Sequence, residues 1–202
     1  MIELPSRLYA LGQPIVFTKG THIYYAQQSI DRCYYITKGM VKVYIDHYNG
    51  KRSVLDFLNS GDWLGELSIF IHEDFIKENR VLEEVHCLAF DLNILQQHCK
   101  DFADISFYFS TYMANKLLAR SYRMSEYMNY SSDEKLAQFI LRYQQDGIYS
   151  ISHTDASEYL NVSYRHVLYT IKKFCDQGIL KKEKNYKITN FTQLKKYTSD
   201  HS

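Results

Sequence analysis

The side chains best suited to chemistry lie near the end of this 202-residue chain, where an arginine stands among aromatic residues. They are Tyr164, Arg165, His166 and Tyr169. An arginine guanidinium donates paired hydrogen bonds to guanine, and a tyrosine can contact a thymine methyl group or a phosphate. Residues 163–198 contain nine lysines and arginines against two acidic residues. The pattern indicates a surface for a polyanion, and its alternative interpretation is a solvated lysine-rich tail.

No second chemistry can be assembled from the other reactive residue types. The four cysteines, Cys33, Cys87, Cys99 and Cys175, form no CxxC pair, and the eight histidines form no HxH or HxxxH pair. We therefore expect no metal site and no enzyme, because a cupin-type active site needs a metal triad or a nucleophile with an oriented base. The cysteines are interpreted as free thiols of a reducing compartment, and a redox role stays open because it depends on exposure and on a lowered pKa.

Composition excludes several other classes of protein. Hydrophobic residues make up 46% of the chain, charged residues 23%, and the net charge is +1, as in ordinary globular proteins. The apolar runs are far shorter than the roughly 20 residues that cross a bilayer. The first residues lack the basic and then apolar layout of a signal peptide. We predict a cytoplasmic protein with no membrane partner.

The aromatic and basic residues around Arg165 belong to a predicted helix-turn-helix. Ser152 is suited to cap a first helix and Ser163 a second, and Asn161 tolerates the left-handed conformation of the tight turn between them. Four apolar residues of the second helix are predicted to face the core: Val167, Leu168, Ile171 and Phe174. The polar and aromatic residues of that helix then face outward, as in a helix that enters the major groove of DNA.

A predicted β-hairpin after Gly178 completes the pattern of a winged helix. Its strands are residues 179–182 and 186–189, and its lysines lie where they would contact phosphates. We expect phosphate contacts from the following residues of this region: Ser152, His153, Ser163, Lys172, Lys182 and Lys184. The candidates for contacts to bases are Tyr164, Arg165, His166 and Tyr169.

The first part of the chain is predicted to consist of short strands. Both prolines and six of the eight glycines lie in the first 65 residues, and Asn49-Gly50 is a strong hairpin signal. The strands are predicted at residues 13–17, 23–25, 33–37, 40–46, 52–58 and 85–90. Short strands at this spacing are typical of a sandwich or a small barrel.

A single long helix is predicted from Asp101 to about Tyr130. Apolar residues recur there at spacings of three and four, and thirty residues would span roughly 45 Å. We expect the helix to pair with that of a second chain through the following residues: Phe109, Met113, Leu117, Arg120 and Met124. The alternative is an amphipathic core helix of a monomer.

The order of these elements resembles that of the Crp/Fnr family of bacterial transcription regulators. The segment from Gly61 to Leu67, GDWLGEL, matches the family's G-D-x-x-G-E-L signature. The predicted α+β fold then has an antiparallel, jelly-roll-like β-roll of the cyclic-nucleotide-binding type in residues 1–100, a dimerisation helix in 101–130 and a winged helix-turn-helix in 131–202. The resemblance implies a homodimer on a two-fold symmetric site of double-stranded DNA, with RNA polymerase as a further candidate partner.

The resemblance fails in part at the effector site. Family members that bind cyclic AMP use the signature's glutamate for the ribose and an Arg-Ser or Arg-Thr pair for the cyclic phosphate. Aligned without gaps, that pair is Ile76-Lys77 here, and isoleucine cannot pair with a phosphate. An effector pocket, if formed, would involve Gly65, Glu66, Leu67, Lys77 and Arg80. We expect no cyclic nucleotide. We also expect no iron–sulfur cluster, because the family's iron–sulfur members use a cysteine cluster near the N-terminus, whereas the first cysteine here, Cys33, lies in a predicted strand and the others are scattered.

The recognition helix departs from the family as well. Members commonly carry a glutamate and an arginine where Arg165 and Tyr169 stand here, so we expect a half-site different from the usual TGTGA or TTGAT types. We predict a dimeric, sequence-specific DNA-binding regulator whose recognition helices lie about 34 Å apart. The alternative is a small-molecule-binding module that acts through a protein partner, and it would lack the steep salt dependence of DNA binding.

Overall fold

The computed structural model of the protein describes residues 3–25, 29–73 and 77–199, with Ser199 as backbone only. The chain forms two compact units with a boundary between Ala119 and Arg120. The first unit begins with a short helix, α1 (Ser6–Tyr9). Its strands are β1 (Gln13–Phe17), β2 (Arg32–Lys38), β3 (Val41–Asp46), β4 (Arg52–Leu58), β5 (Trp63–Leu64), β6 (Glu78–Val81) and β7 (Val85–Asp91).

These strands form two antiparallel sheets that share a hydrophobic core. The strand orders are β1-β7-β2-β5 and β4-β3-β6. Side chains alternate between the faces of a strand, and β2 shows the consequence. Tyr34 and Ile36 contribute to the core shared by the two sheets, whereas Cys33 and Tyr35 contribute to a second core on the other face. The predicted antiparallel β-domain is confirmed.

Two helices cover the second core. They are α2 (Leu92–Asp101) and α3 (Ala103–Asn129). Trp63 is fully buried there, and its indole Nε1 donates a hydrogen bond to the hydroxyl of Tyr108 (2.9 Å). The backbone N–H of Trp63 donates to the hydroxyl of Tyr112, also at 2.9 Å. Buried polar groups are thereby satisfied, and the beginning of α3 is attached to the first sheet.

The predicted strand at residues 23–25 is wrong. The backbone N–H groups of Ile23 and Tyr24 donate to the side-chain Oδ1 of buried Asn79, at 3.1 and 3.0 Å, so a side chain takes the place of a neighbouring strand. The predicted helix from Asp101 to about Tyr130 is confirmed as α3, which begins at Ala103 because Phe102 has an extended backbone after the end of α2. Strand β6 and helix α2 have no counterpart among the predicted elements.

The second unit contains the predicted helix-turn-helix and hairpin. Its elements are α4 (Ser132–Tyr143), β8 (Ile148–Tyr149), α5 (His153–Leu160), α6 (Tyr164–Asp176), β9 (Leu180–Lys182), β10 (Tyr186–Ile188) and α7 (Phe191–Ser199). The three strands pair antiparallel in the order β8-β10-β9. The capping box that begins α4 is confirmed, since Ser131 and Glu134 each accept a hydrogen bond from the other's backbone N–H. None of the described helices is long and apolar enough to cross a membrane.

Candidate nucleic-acid interface

The helix-turn-helix has the caps and the turn that its sequence predicts. The hydroxyl of Ser152 accepts a hydrogen bond from the backbone N–H of Asp155 (3.1 Å), and that of Ser163 accepts one from His166 (3.2 Å). Asn161, between the two helices, has a φ of +51° in the left-handed region. Local interactions therefore begin both helices and end the first, which fixes the turn between α5 and α6.

Helix α6 buries one face and exposes the other. The buried side chains are Val167, Thr170, Ile171 and Phe174. The exposed residues include those predicted to contact DNA: Tyr164, Arg165, His166, Tyr169 and Lys172. The prediction for Leu168 is wrong, because this residue is 40% exposed and not in the core. At about 100° per residue, Leu168 is rotated out of the core after Val167 and lies one turn beyond Arg165.

A carboxylate on α4 holds the inner side of α6. Asp133 accepts hydrogen bonds from the hydroxyl of Thr170 and from the ammonium of Lys173, each at 2.6 Å. Burial opposes ionisation of Asp133, but the bonds from Lys173 and Thr170 outweigh it, so its pKa lies below the usual value. Asp133 was not among the predicted site residues. The signal that could have identified such a contact is a threonine on the otherwise apolar face of α6.

The hairpin β9-β10 contacts the start of α5 through a group of rings. The Lys182 ammonium lies 4.0 Å from the centroid of the Tyr186 ring. The His153 ring lies 5.6 Å from that of Tyr186 and 6.2 Å from that of Tyr164. Burial, and then the charge of Lys182, lower the pKa of His153. The structure thus brings His153 and Lys182 together beside Tyr164, while Lys184 is exposed on the turn of the hairpin.

Two of the residues predicted for an effector pocket, Glu66 and Lys77, form ion pairs within the first unit. Glu66 is only 5% exposed, and its carboxylate Oε1 lies 2.5 Å from the ammonium Nζ of Lys116 on α3. Lys77 forms an ion pair with Glu73. Arg80 lies on β6 with its side chain exposed. Lys116 was not predicted, although a lysine within the repeating face of the long helix is a signal for a buried partner.

The signature segment has a structural role in the fold. Gly65 has a φ of +81°, and a Cβ atom there would lie 2.5 Å from the hydroxyl oxygen of Tyr24, so a larger residue does not fit. The carbonyl of Gly65 accepts a hydrogen bond from the thiol of Cys33 (3.2 Å). Leu67 lies within the 3₁₀ helix that follows. Ile76, where cyclic-AMP-binding members carry arginine, lies outside the described residues, and the pocket stays a prediction.

The four cysteines are free thiols, and burial raises the pKa of each. The pKa of Cys87 is raised to about 12 and that of Cys99 to about 11. Because the thiolate is the reactive form of cysteine, the raised pKa values lower the reactive fraction of these thiols at neutral pH.

The predicted dimer face of the long helix is corrected in part. Phe109 is fully buried and Met113 is partly buried, and both pack in the core of the first unit, so they are not available to a second chain. Leu117, Arg120 and Met124 are exposed. Exposed residues recur along α3 at spacings that alternate between three and four. They form the series Phe107, Ser110, Ala114, Leu117, Ser121, Met124 and Met128.

Both parts of the chain match models of known domain families. A model of the cyclic nucleotide-binding domain matches residues 14–102, and one of the Crp-like helix-turn-helix domain matches residues 134–197. Regulatory protein YeiL of Escherichia coli O157:H7 is 31% identical over 166 residues, which cover 80% of this chain and 74% of that protein. The cAMP-activated global transcriptional regulator CRP of the same organism is 42% identical over 53 residues, or 26% of this chain and 25% of that protein.

A solved structure has the same fold. That of FixK2 from Bradyrhizobium japonicum matches with a TM-score of 0.80 at 17% identity, and the match covers 95% of this chain and 99% of FixK2. The two domain matches occur in the order that the sequence predicts, and proteins of this kind are transcription regulators and not enzymes. Its β-domain, long helix and helix-turn-helix, together with the relative that matches most of its length, show that this chain belongs to the Crp/Fnr family of transcription regulators.

Proposed function

We propose that the protein is a homodimeric, sequence-specific DNA-binding regulator of the cytoplasm that has no catalytic activity and works without cyclic AMP. The exposed face of α6 is the observation that carries this proposal. Arg165 and Lys172 have no ion-pair partner among the described residues, whereas Asp133, on the inner side, is already bonded to Lys173 and Thr170. The cations of the outer face are therefore available to an external anion.

The exposed series on α3 supports a homodimer. Spacings that alternate between three and four residues form the seam of a two-stranded coiled coil. Leu117, Met124 and Met128 provide large apolar side chains on that seam, and Ala114 and Ser121 allow close approach of a second helix. A two-fold dimer would bind two half-sites about one turn of DNA apart, with the lysines of the hairpin on phosphates.

The Glu66–Lys116 ion pair supports activity without cyclic AMP. The family resemblance assigns the carboxylate of Glu66 to a ribose hydroxyl, but here that carboxylate accepts a hydrogen bond from the ammonium of Lys116 (2.5 Å). Moving Lys116 aside would leave a buried carboxylate without its partner, which costs several kcal/mol. This is why the effector named for CRP is not carried over to this chain.

The proposal is tested by binding of the full chain to labelled DNA from upstream of its own gene and to scrambled DNA, over a salt series and without added ligand. We expect a preference for the upstream DNA and a steep linear fall of log affinity with log salt. Equal, salt-sensitive binding to both would contradict ligand-free specificity at that promoter. Binding to neither DNA at low salt would favour the alternative in which the chain acts on a protein partner.

The homodimer is tested by sedimentation of a Met124→Lys variant. A charge on the seam should convert the dimer to monomer, because it would be buried in the pair without a partner. Ala119→Lys is the matched control, since Ala119 is exposed on α3 but lies off the seam. A monomeric parent protein, or equal effects of both substitutions, would contradict pairing through α3.

A further inference from the structure

The outer face of α6 has an apolar centre between two cations. Arg165, Leu168, Tyr169 and Lys172 are spaced as i, i+3, i+4 and i+7, so they share one face of the helix. Leu168 is 40% exposed and Tyr169 is 68% exposed. The inner face is already filled by other side chains, and the core does not account for a leucine at this position.

The surroundings of this apolar centre are those of a DNA-facing surface. Arg165 precedes it and Lys172 follows it on α6, and Lys182 and Lys184 belong to the adjacent hairpin. These cations complement phosphates. A leucine side chain neither donates nor accepts hydrogen bonds, so it gains free energy on binding only by removing an apolar group from water. On the base edges of the major groove that group is the C5 methyl of thymine.

We infer that Leu168 is a specificity-determining residue that contacts a thymine methyl group, so that the half-site pairs a guanine, bound by Arg165, with a nearby thymine. The inference rests on the proposed function and specifies its DNA sequence class. Three residues of helix advance by about 4.5 Å, and one step of the duplex by about 3.4 Å. The thymine should therefore lie within one or two base pairs of the guanine, on either strand.

Selection from random duplexes, followed by removal of single methyl groups, tests this inference. The full chain is used to enrich duplexes from a random library, and each thymine of the enriched half-site is then replaced by deoxyuridine, which lacks only the methyl. We expect one replacement near the guanine to weaken binding about fourfold, the effect of one buried methylene-sized group. In a Leu168→Ala variant the same replacement should have no further effect.

Two further variants separate a base contact from a change of fold. Leu168→Met keeps an apolar side chain and should keep sensitivity to deoxyuridine. Ile94→Ala is a control, because Ile94 is 47% exposed on α2 of the other unit and should leave DNA binding unchanged. Enriched duplexes whose binding is indifferent to every deoxyuridine, or a Leu168→Ala variant that keeps the full penalty, would overturn this inference alone. Failure to enrich any sequence would overturn the inference together with the proposed function.

Discussion

Glu66 and Arg165 are both charged residues at positions where this family places its contacts, yet their surroundings are opposite. Glu66 is 5% exposed and paired with Lys116 inside the first unit. Arg165 is exposed on α6 of the second unit, next to the exposed side chains of Leu168 and Tyr169. The charge of Glu66 is paired within the fold, whereas the charge of Arg165 is exposed to solvent and is the one that we propose for DNA binding.

Glu66 has a structural use, whereas the use that we propose for Arg165 is in binding. A buried carboxylate must be paired, because its desolvation is costly, so loss of the pair should appear in stability. An exposed guanidinium contributes little to stability, so its loss should appear in binding. We propose that this chain keeps the G-E-L signature in its β-domain for such a structural use, without the ligand chemistry of cyclic-AMP-binding members.

The largest effect is expected from breaking the buried ion pair between Glu66 and Lys116. Lys116→Ala leaves the Glu66 carboxylate without its cation, and the free energy of unfolding should fall by about 3 kcal/mol. Urea denaturation of the purified protein measures this change. Lys100→Ala is the control, because Lys100 is exposed at the end of α2 and should change stability little. If both variants unfold alike, the ion pair has no structural role.

The proposed role of the exposed Arg165 guanidinium is tested by the Arg165→Ala substitution. We expect an affinity loss of about 1–3 kcal/mol for the selected DNA and a relaxed preference at one base pair, with unchanged stability. Fluorescence anisotropy against matched and mismatched duplexes measures both. Lys184→Ala should instead weaken all duplexes similarly and reduce the salt slope by about one. Equal weakening of matched and mismatched DNA by Arg165→Ala would assign Arg165 to phosphate contact.

A smaller effect is expected from loss of the Asp133 carboxylate, which holds α6 against α4. Asp133→Asn weakens the hydrogen bonds to Thr170 and Lys173, and the second unit should lose about 1–2 kcal/mol, since the lysine is partly exposed. The pKa of Asp133 is lower in the folded protein than its usual value of 3.8. Its contribution is therefore complete above that value and is lost as the pH falls through the folded pKa.

Thermal unfolding at neutral and at strongly acidic pH checks the prediction for Asp133. The difference between the parent protein and Asp133→Asn should be large at neutral pH and should shrink in acid. Asp146→Asn is the control, because Asp146 is exposed with a φ of +50°, a conformation that asparagine tolerates. A difference that is the same at both pH values would show that ionisation of Asp133 does not contribute.

The smallest effect is expected from the thiols, which carry no charge and are buried at Cys33 and Cys87 and partly buried at Cys99 and Cys175. The pKa of Cys99 is about 11 against a usual value of 9.0, so its thiolate fraction at neutral pH is about a hundredfold lower than that of an ordinary cysteine. A chromogenic disulfide reagent should label the native protein slowly and the unfolded protein rapidly. Mild peroxide treatment that altered DNA binding of the native protein would contradict this protection.

Local features of the second unit could be predicted from the sequence with few errors. The caps at Ser131, Ser152 and Ser163 and the left-handed Asn161 depend on neighbours a few residues away, and all four are confirmed. Leu168 was placed wrongly because residue type alone suggested burial. Exposure depends instead on the position of the side chain around the helix axis. The buried residues on either side of Leu168 define the inner face of α6, and Leu168 lies off that face.

Most of the strands, the long helix, the helix-turn-helix and the caps of its helices follow from the sequence alone, because each depends on residues close together in the chain. Other contacts follow only from the tertiary structure: the pairing of Glu66 with Lys116, the contact of Asp133 with α6, and the bonds from Ile23 and Tyr24 to Asn79. Each of these contacts joins residues far apart in sequence. Which of them meet depends on how whole faces of helices and sheets pack, and a one-dimensional pattern does not contain that information.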